Sequence, residues 1–226
     1  MAGYFFHFRP RPTNLYAKLA GRIRETQWDG ALVTLNYERL LELALRNAGI
    51  NLVVNPPRPN AAELELCLPH GCCHLFGHLR AIGNLNFGGN IVFDDAPGSV
   101  PRVIENAEKH ACELKENKLP PIMCYIEPDK RNRTGVSFIS GQRKRFECLA
   151  HSASVVGIIG VNVRSRDAHI WGPLADTPAR IVYCARASGA RHYSVWAEEH
   201  RPNRGDTLLL GDFEDEFDTI CDAVGL

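Results

Sequence analysis

The chain has 226 residues, 45% of them apolar and 23% charged, which excludes disordered and fibrous classes and leaves length for a sizeable core. Lys+Arg and Asp+Glu stand equal at 26 each, without the basic excess of a chain that holds nucleic acid by broad electrostatics. No apolar run reaches the roughly 18 residues that span a bilayer. The opening MAGYFFHFRPRP also lacks a leader's basic and then apolar pattern, so a cytoplasmic protein without a membrane partner is expected.

Residues 1–13, aromatic, basic and proline-bearing, read as an irregular arm. Asn14 to Gln27 reads as a helix capped by Thr13 or Asn14, with Leu15, Leu19 and Ile23 at helical spacing. After the turn Asp29-Gly30, Ala31 to Leu35 is a short apolar run of the kind buried on both faces of a parallel sheet. Tyr37 to Asn47 is a leucine-rich helix that stops at Gly49. Ile50 to Val54 and Leu64 to Leu68 are strands, and the second runs into Pro69-His70-Gly71. Residues 75–101 read as a Gly/Asn-rich loop or small hairpin inserted in the domain, with Ile91 to Phe93 as its second strand.

Val103 to Glu116 is helical, Pro121 to Tyr125 a strand, and the stretch through Gly141 a basic, polar loop. Arg143 to Ala153 is a helix, and Val155 to Val161 is the strongest buried-strand pattern in the chain. A strand at Arg180 to Cys184, a helix at Gly189 to His200, a strand at Thr207 to Leu210 and a helix at Glu214 to Val224 complete the series. Strands alternating with helices predict one α/β domain over residues 1–226, a Rossmann-like, mostly parallel sheet with helices on both faces.

The eight cysteines are scattered through apolar segments, where a thiol behaves as a small hydrophobe. The dense cluster CLPHGCCH, Cys67 to His74, lacks the C-x2–4-C pair and second distant pair of structural zinc, so no metal is expected there. Cys72 between His70 and His74 is a candidate for a thiol nucleophile.

Ligands of open α/β sheets bind beyond the carboxyl ends of the strands. Three polar clusters fall there: Asn36 with Glu38, His70 with Gly71, and Asn162 with Arg164, Ser165 and Asp167. Each has a plain structural reading as well. Asn36 could cap the following helix, Glu38 could complement its dipole, His70 could be a turn residue, and Asp167 could cap a short helix.

Taken in order, TLNYERLLE, LPHG and GVNVRSRDAHI resemble the T-T-N-Y-D-x-x-L-E, K-L-H-G and G-Y-S-x-x-D-x-x-I motifs of the sirtuin-like NAD-binding domains, a group that includes bacterial antiphage NAD hydrolases. The resemblance spans roughly Leu15 to Val182. It implies NAD as substrate or ligand, with Asn36 at the nicotinamide ribose or positioning a water, and His70 as general base or ribose orienter. Thr34, Tyr37, Glu38 and Gly71 would flank that ribose, while Gly160, Asn162 and Asp167 would approach the adenosine ribose.

Glu38 stands where that family has Asp, Val161 where it has Tyr, and Asn162 where it has Ser. The family's Gly-Ala-Gly-x-Ser turn, whose backbone N–H groups hold the pyrophosphate, has no counterpart in this sequence. The expectation is therefore an NAD hydrolase lineage, with two alternatives: an inactive nucleotide-sensing or assembly module, or a fragment completed by another chain. A homo-oligomer or a complementing protein chain is the expected partner beside NAD or an ADP-ribose-like nucleotide.

Overall fold

A computed structural model describes residues 1–54, 63–77, 100–116, 120–124 and 134–226. The chain divides into two compact units, one of Met1–Gly21 with Asp29–Lys144 and one of Arg22–Trp28 with Arg145–Leu226. Each is mixed α/β and built on a three-stranded parallel sheet.

The first unit opens with helix α1, Ala2–Phe6, where an irregular arm was expected. The prolines at 10 and 12 come too late to forbid a helical turn, and burying Phe6 completely offsets its cost. Helix α2, Leu15–Thr26, belongs to this unit over 15–21 and to the other over 22–26. It begins as expected at Asn14, whose Oδ1 accepts the Ala17 N–H at 2.8 Å.

The sheet of the first unit has strands β1, Ala31–Val33, β2, Asn51–Val53, and β3, Glu63–Cys67, in the order β1-β3-β2. Helix α3, Leu40–Asn47, joins β1 to β2. The middle strand β3 is the buried one, whereas β1 is only half-buried throughout, contrary to the expectation for Ala31 to Leu35. Among the described residues of this unit β1 has a strand partner on one side only, so its three side chains lack the two-sided cover of β3.

Beyond β3, β4, Leu75–Phe76, pairs antiparallel with β5, Arg102–Val103. Helix α4, Ala107–Glu116, follows. The expected strand Ile91 to Phe93 and most of the Gly/Asn-rich stretch lie outside the described residues. Of the strand expected over Pro121 to Tyr125, Tyr125 lies outside the described residues, and the described residues 121–124 form a single bridge, between Gly71 and Met123. Around it, Cys72 N–H donates to Ile122 O, Ile122 N–H to Leu75 O and Cys124 N–H to His70 O. Proline at 120 and 121 removes two backbone donors that a longer ladder would use. Helix α5, Val136–Ser152, starts inside the segment expected to be loop through Gly141.

The second unit carries β6, Val155–Ile159, β7, Arg180–Ala185, and β8, Thr207–Leu210, in that order and all parallel. Helices α6, Ala168–Asp176, α7, Ala187–His200, and α8, Phe217–Ala223, complete it. Alternate side chains of β7 point to opposite faces. Val182 and Cys184 pack with Ile220 of α8. Tyr183 stacks on Tyr193 of α7 with centroids 4.1 Å apart and faces Trp171 of α6. The middle strand is thus covered on both faces. β6, expected to be the most buried strand of the chain, is half-exposed, with Ile159 37% accessible. No helix among the described residues is long and apolar enough to cross a membrane.

Candidate functional site

Because β1 and β3 are parallel neighbours, with Val33 opposite Cys67, the residues that follow them emerge at one end of the first unit's sheet. Thr34 N–H donates to Cys67 O, which prolongs the pairing by one step. The Thr34 hydroxyl then accepts the Asn36 N–H at 3.2 Å and turns the chain outward. Asn36 is exposed, and its Nδ2 donates to the Tyr16 hydroxyl at 3.1 Å. It does not cap the helix. That helix begins three residues later than the leucine pattern suggests, and the capping acceptor is Glu38, whose Oε2 takes the Leu40 N–H at 2.6 Å.

His70 arrives from β3. Its ring is 4% accessible, and Nδ1 lies 3.2 Å from Leu35 O, the carbonyl just before Asn36. A carbonyl can only accept, so Nδ1 carries a proton, and Nε2 is the nitrogen that can act as a base when the ring is neutral. The Tyr37 ring runs near-parallel to the imidazole at 6.2 Å. Thr34, Asn36, Tyr37, Glu38 and His70 therefore gather at the carboxyl end of two adjacent strands.

Tyr16, from the first turn of α2, joins them and was missed in the sequence, where it reads as one more apolar helix position beside Leu15. Burial and then the charge of Glu38 raise its pKa, so the phenol stays protonated, with Asn36 and Glu38 as its hydrogen-bond partners.

Gly71 has a structural reason to be glycine. Its φ is +74°, and a Cβ there would lie 2.0 Å from Ile122 O. Gly160 differs: φ is +67°, but open space surrounds the position where a Cβ would stand.

Gly160 and Asn162 follow β6 in the second unit, at the carboxyl end of that unit's own sheet. Tyr183 Oη donates to Val161 O at 2.7 Å and pins the loop. Asn162 is exposed, with Oδ1 against the first turn of α7, 3.1 Å from where a Gly189 Cβ would stand. Asp167 is buried and sits at the N-cap of α6 without a side-chain capping bond. Thr34, Asn36, Tyr37, Glu38, His70 and Gly71 belong to the first unit, and Gly160, Asn162 and Asp167 to the second.

A second polar cluster lies beside the first. His74 Nδ1 is 3.1 Å from Cys72 Sγ, and His74 Nε2 is 3.2 Å from Glu42 Oε2. Glu42 Oε1 meets Arg46 at 3.1 Å and Arg39 at 3.4 Å. Cys72, His74, Glu42 and Arg39 are all buried. The neighbouring Cys73 thiol and burial push the Cys72 thiol well up, which argues against the thiolate nucleophile weighed for it. Glu42 is the member the sequence concealed. It occupies a helix position that reads as solvent-facing, and only its spacing of four from Arg46 hints at pairing.

No family model matches this sequence, and no curated protein matches it.

Proposed function

We propose that the chain is a sirtuin-like, Rossmann-like domain that binds NAD or a related adenine dinucleotide and cleaves the nicotinamide–ribose bond. What carries the reading is the pairing of Asn36 and His70 at the carboxyl ends of adjacent parallel strands, joined through the His70 Nδ1 contact to Leu35 O.

Cleavage of that bond leaves positive, oxocarbenium-like charge on the ribose while nicotinamide departs, and water then attacks the anomeric carbon. An exposed carboxamide suits a ribose hydroxyl or the attacking water. A neutral imidazole with its basic Nε2 suits the proton that the water loses. Tyr37 supplies a flat apolar wall, Thr34 holds the Asn36 backbone, and Glu38 anchors the following helix. The family resemblance alone assigns Gly160, Asn162 and Asp167 to the adenosine ribose.

The test is nicotinamide release from NAD, with binding followed separately by calorimetry. His70→Ala is expected to slow release by about 10²–10⁴-fold, the usual share of a general base, and to leave NAD affinity within a few-fold. A folded wild-type chain that neither binds NAD nor releases nicotinamide, alone or with candidate partner chains, sinks the proposal.

A non-catalytic reading is favoured by one observation: within the matched motifs Glu38, Val161 and Asn162 stand where the family has Asp, Tyr and Ser. A nucleotide-sensing module, or one completed by another chain that supplies the Gly-Ala-Gly-x-Ser turn, would bind ADP-ribose without turnover. Its binding would be indifferent to His70→Ala.

A further inference from the structure

We infer that Cys72, Cys73 and His74 form a binding site for a soft, thiophilic d¹⁰ cation, Cu(I) or Zn(II). The two thiols and the imidazole each offer one ligand atom, and all three atoms lie within 4.8 Å of one another. A tetrahedral or trigonal ion with S and N bonds of about 2.3 and 2.1 Å needs ligand atoms roughly 3.5–4 Å apart, so small side-chain adjustments close the site.

The surroundings are those of a metal centre. His74 turns Nδ1 toward the thiols and Nε2 toward Glu42 Oε2 at 3.2 Å. This is the carboxylate–histidine arrangement that fixes the tautomer and raises the basicity of a ligating imidazole. Glu42 is in turn held by Arg46 and Arg39. Two thiolates, Glu42, Glu105 and the two arginines that pair with both carboxylates carry a net charge of −2, which a bound cation reduces and a divalent one cancels. All three ligands are 2% accessible or less, which excludes hard cations that keep water and favours soft ligands for soft ions. On binding, Cys72 and Cys73 each lose a proton to solvent as two S–metal bonds form, and the His74 Nδ1 lone pair makes the third bond.

The arrangement escapes the spacing rules because the ligands are consecutive. The turn after Gly71 aims both thiols at the imidazole, with the Cys73 N–H on Tyr37 O. The site does not depend on the nucleotide reading.

The experiment uses reduced, metal-free protein carrying Cys112→Ser and Cys148→Ser, which removes the two exposed thiols. One arm titrates Cu(I) against a chromophoric Cu(I) chelator and the other Zn(II) against a chromophoric zinc chelator. One equivalent per chain should bind in at least one arm and raise the melting temperature. Glu42→Gln should weaken binding by about 10–100-fold, and Cys72→Ser and Cys73→Ser by more, while Cys184→Ser leaves it unchanged. Alkylation followed by mass spectrometry gives a readout independent of those variants: one equivalent should protect Cys72 and Cys73 together. The inference is overturned if neither ion binds stoichiometrically, or if Cys72 and Cys73 alkylate at the metal-free rate.

Discussion

Each unit buries an arginine, and the two are treated very differently. In the second unit Arg201 places every donor group. Its Nε and Nη2 clasp the two oxygens of Asp206, and its remaining bonds go to the carbonyls of Leu174, Thr177 and Ala179, at distances of 2.6–3.0 Å. Asp206 also takes the Tyr193 hydroxyl and the Ile181 N–H. Burial pushes the neighbouring Tyr183 phenol up to about 12, so it remains a neutral structural donor.

In the first unit Arg39 reaches Glu42 and Glu105 only at 3.4 and 3.5 Å, and its Nε finds no acceptor among the described residues. Its guanidinium instead lies over the Phe6 ring at 5.6 Å. Arg201 is consumed in holding loops to strand ends, whereas Arg39 is loosely paired at the start of the helix that follows β1.

The largest expected effect tests that contrast directly. Arg201→Met leaves Asp206 and three carbonyls without their buried partner and should cost about 3–5 kcal/mol. Arg39→Met should cost about 1–2 kcal/mol, because Glu42 keeps Arg46 and His74. Urea unfolding of both variants checks the ratio, and equal losses break the comparison.

Gly71→Ala should cost more than about 2 kcal/mol, the left-handed strain plus displacement of Ile122, and Gly160→Ala only the strain of about 1–2 kcal/mol. If Gly160→Ala instead removes nucleotide binding without destabilising the chain, Gly160 is a contact residue.

Next in size, Glu38→Ala removes the acceptor of the Leu40 N–H at the start of α3 and should cost about 0.5–1.5 kcal/mol. Asn36→Ala, at an exposed position, should stay within about 0.5 kcal/mol in the same melts. That pair separates an anchoring residue from one placed to meet a ligand.

The smallest effect is a pH slope. Burial holds the pKa of His110 below its ordinary value of 6.5. Between that lowered value and 6.5 the unfolded chain carries more protons than the folded one, so stability rises with pH there. Stability should be complete above about pH 6.5 and decline as the solution is acidified. The slope should flatten in His110→Gln, read from melting temperatures across that window.

Much of this was legible in the sequence. The alternation of strands and helices is present, Asn14 caps as its position suggests, and Asn36 and His70 do follow adjacent parallel strands. The burial ranking was not legible. Apolar runs at 31–35 and 155–161 pointed to the wrong strands, because apolarity does not report how many neighbours a strand has. The buried strand of the first unit reads ELELC, and its Glu65 is 3% accessible. Such a charge disguises a central strand as an amphipathic edge. Tyr16 and Glu42 were hidden for a similar reason: each reads as an ordinary helix residue until the fold brings a distant segment against it.

The stacking of Phe6 on His110, at 3.8 Å and nearly parallel, has a consequence for handling the protein. His110 Nε2 holds the Cys73 carbonyl, so clipping the chain after residue 6 would strip the cover from the segment that carries both buried thiols. The exposed basic residues of the connecting stretch are Arg9 and Arg11, and each is followed by proline. Trypsin cuts poorly before proline, whose ring lacks the amide hydrogen and stiffens the scissile bond. Brief digestion should therefore leave Phe6 joined to the rest and the thiols shielded.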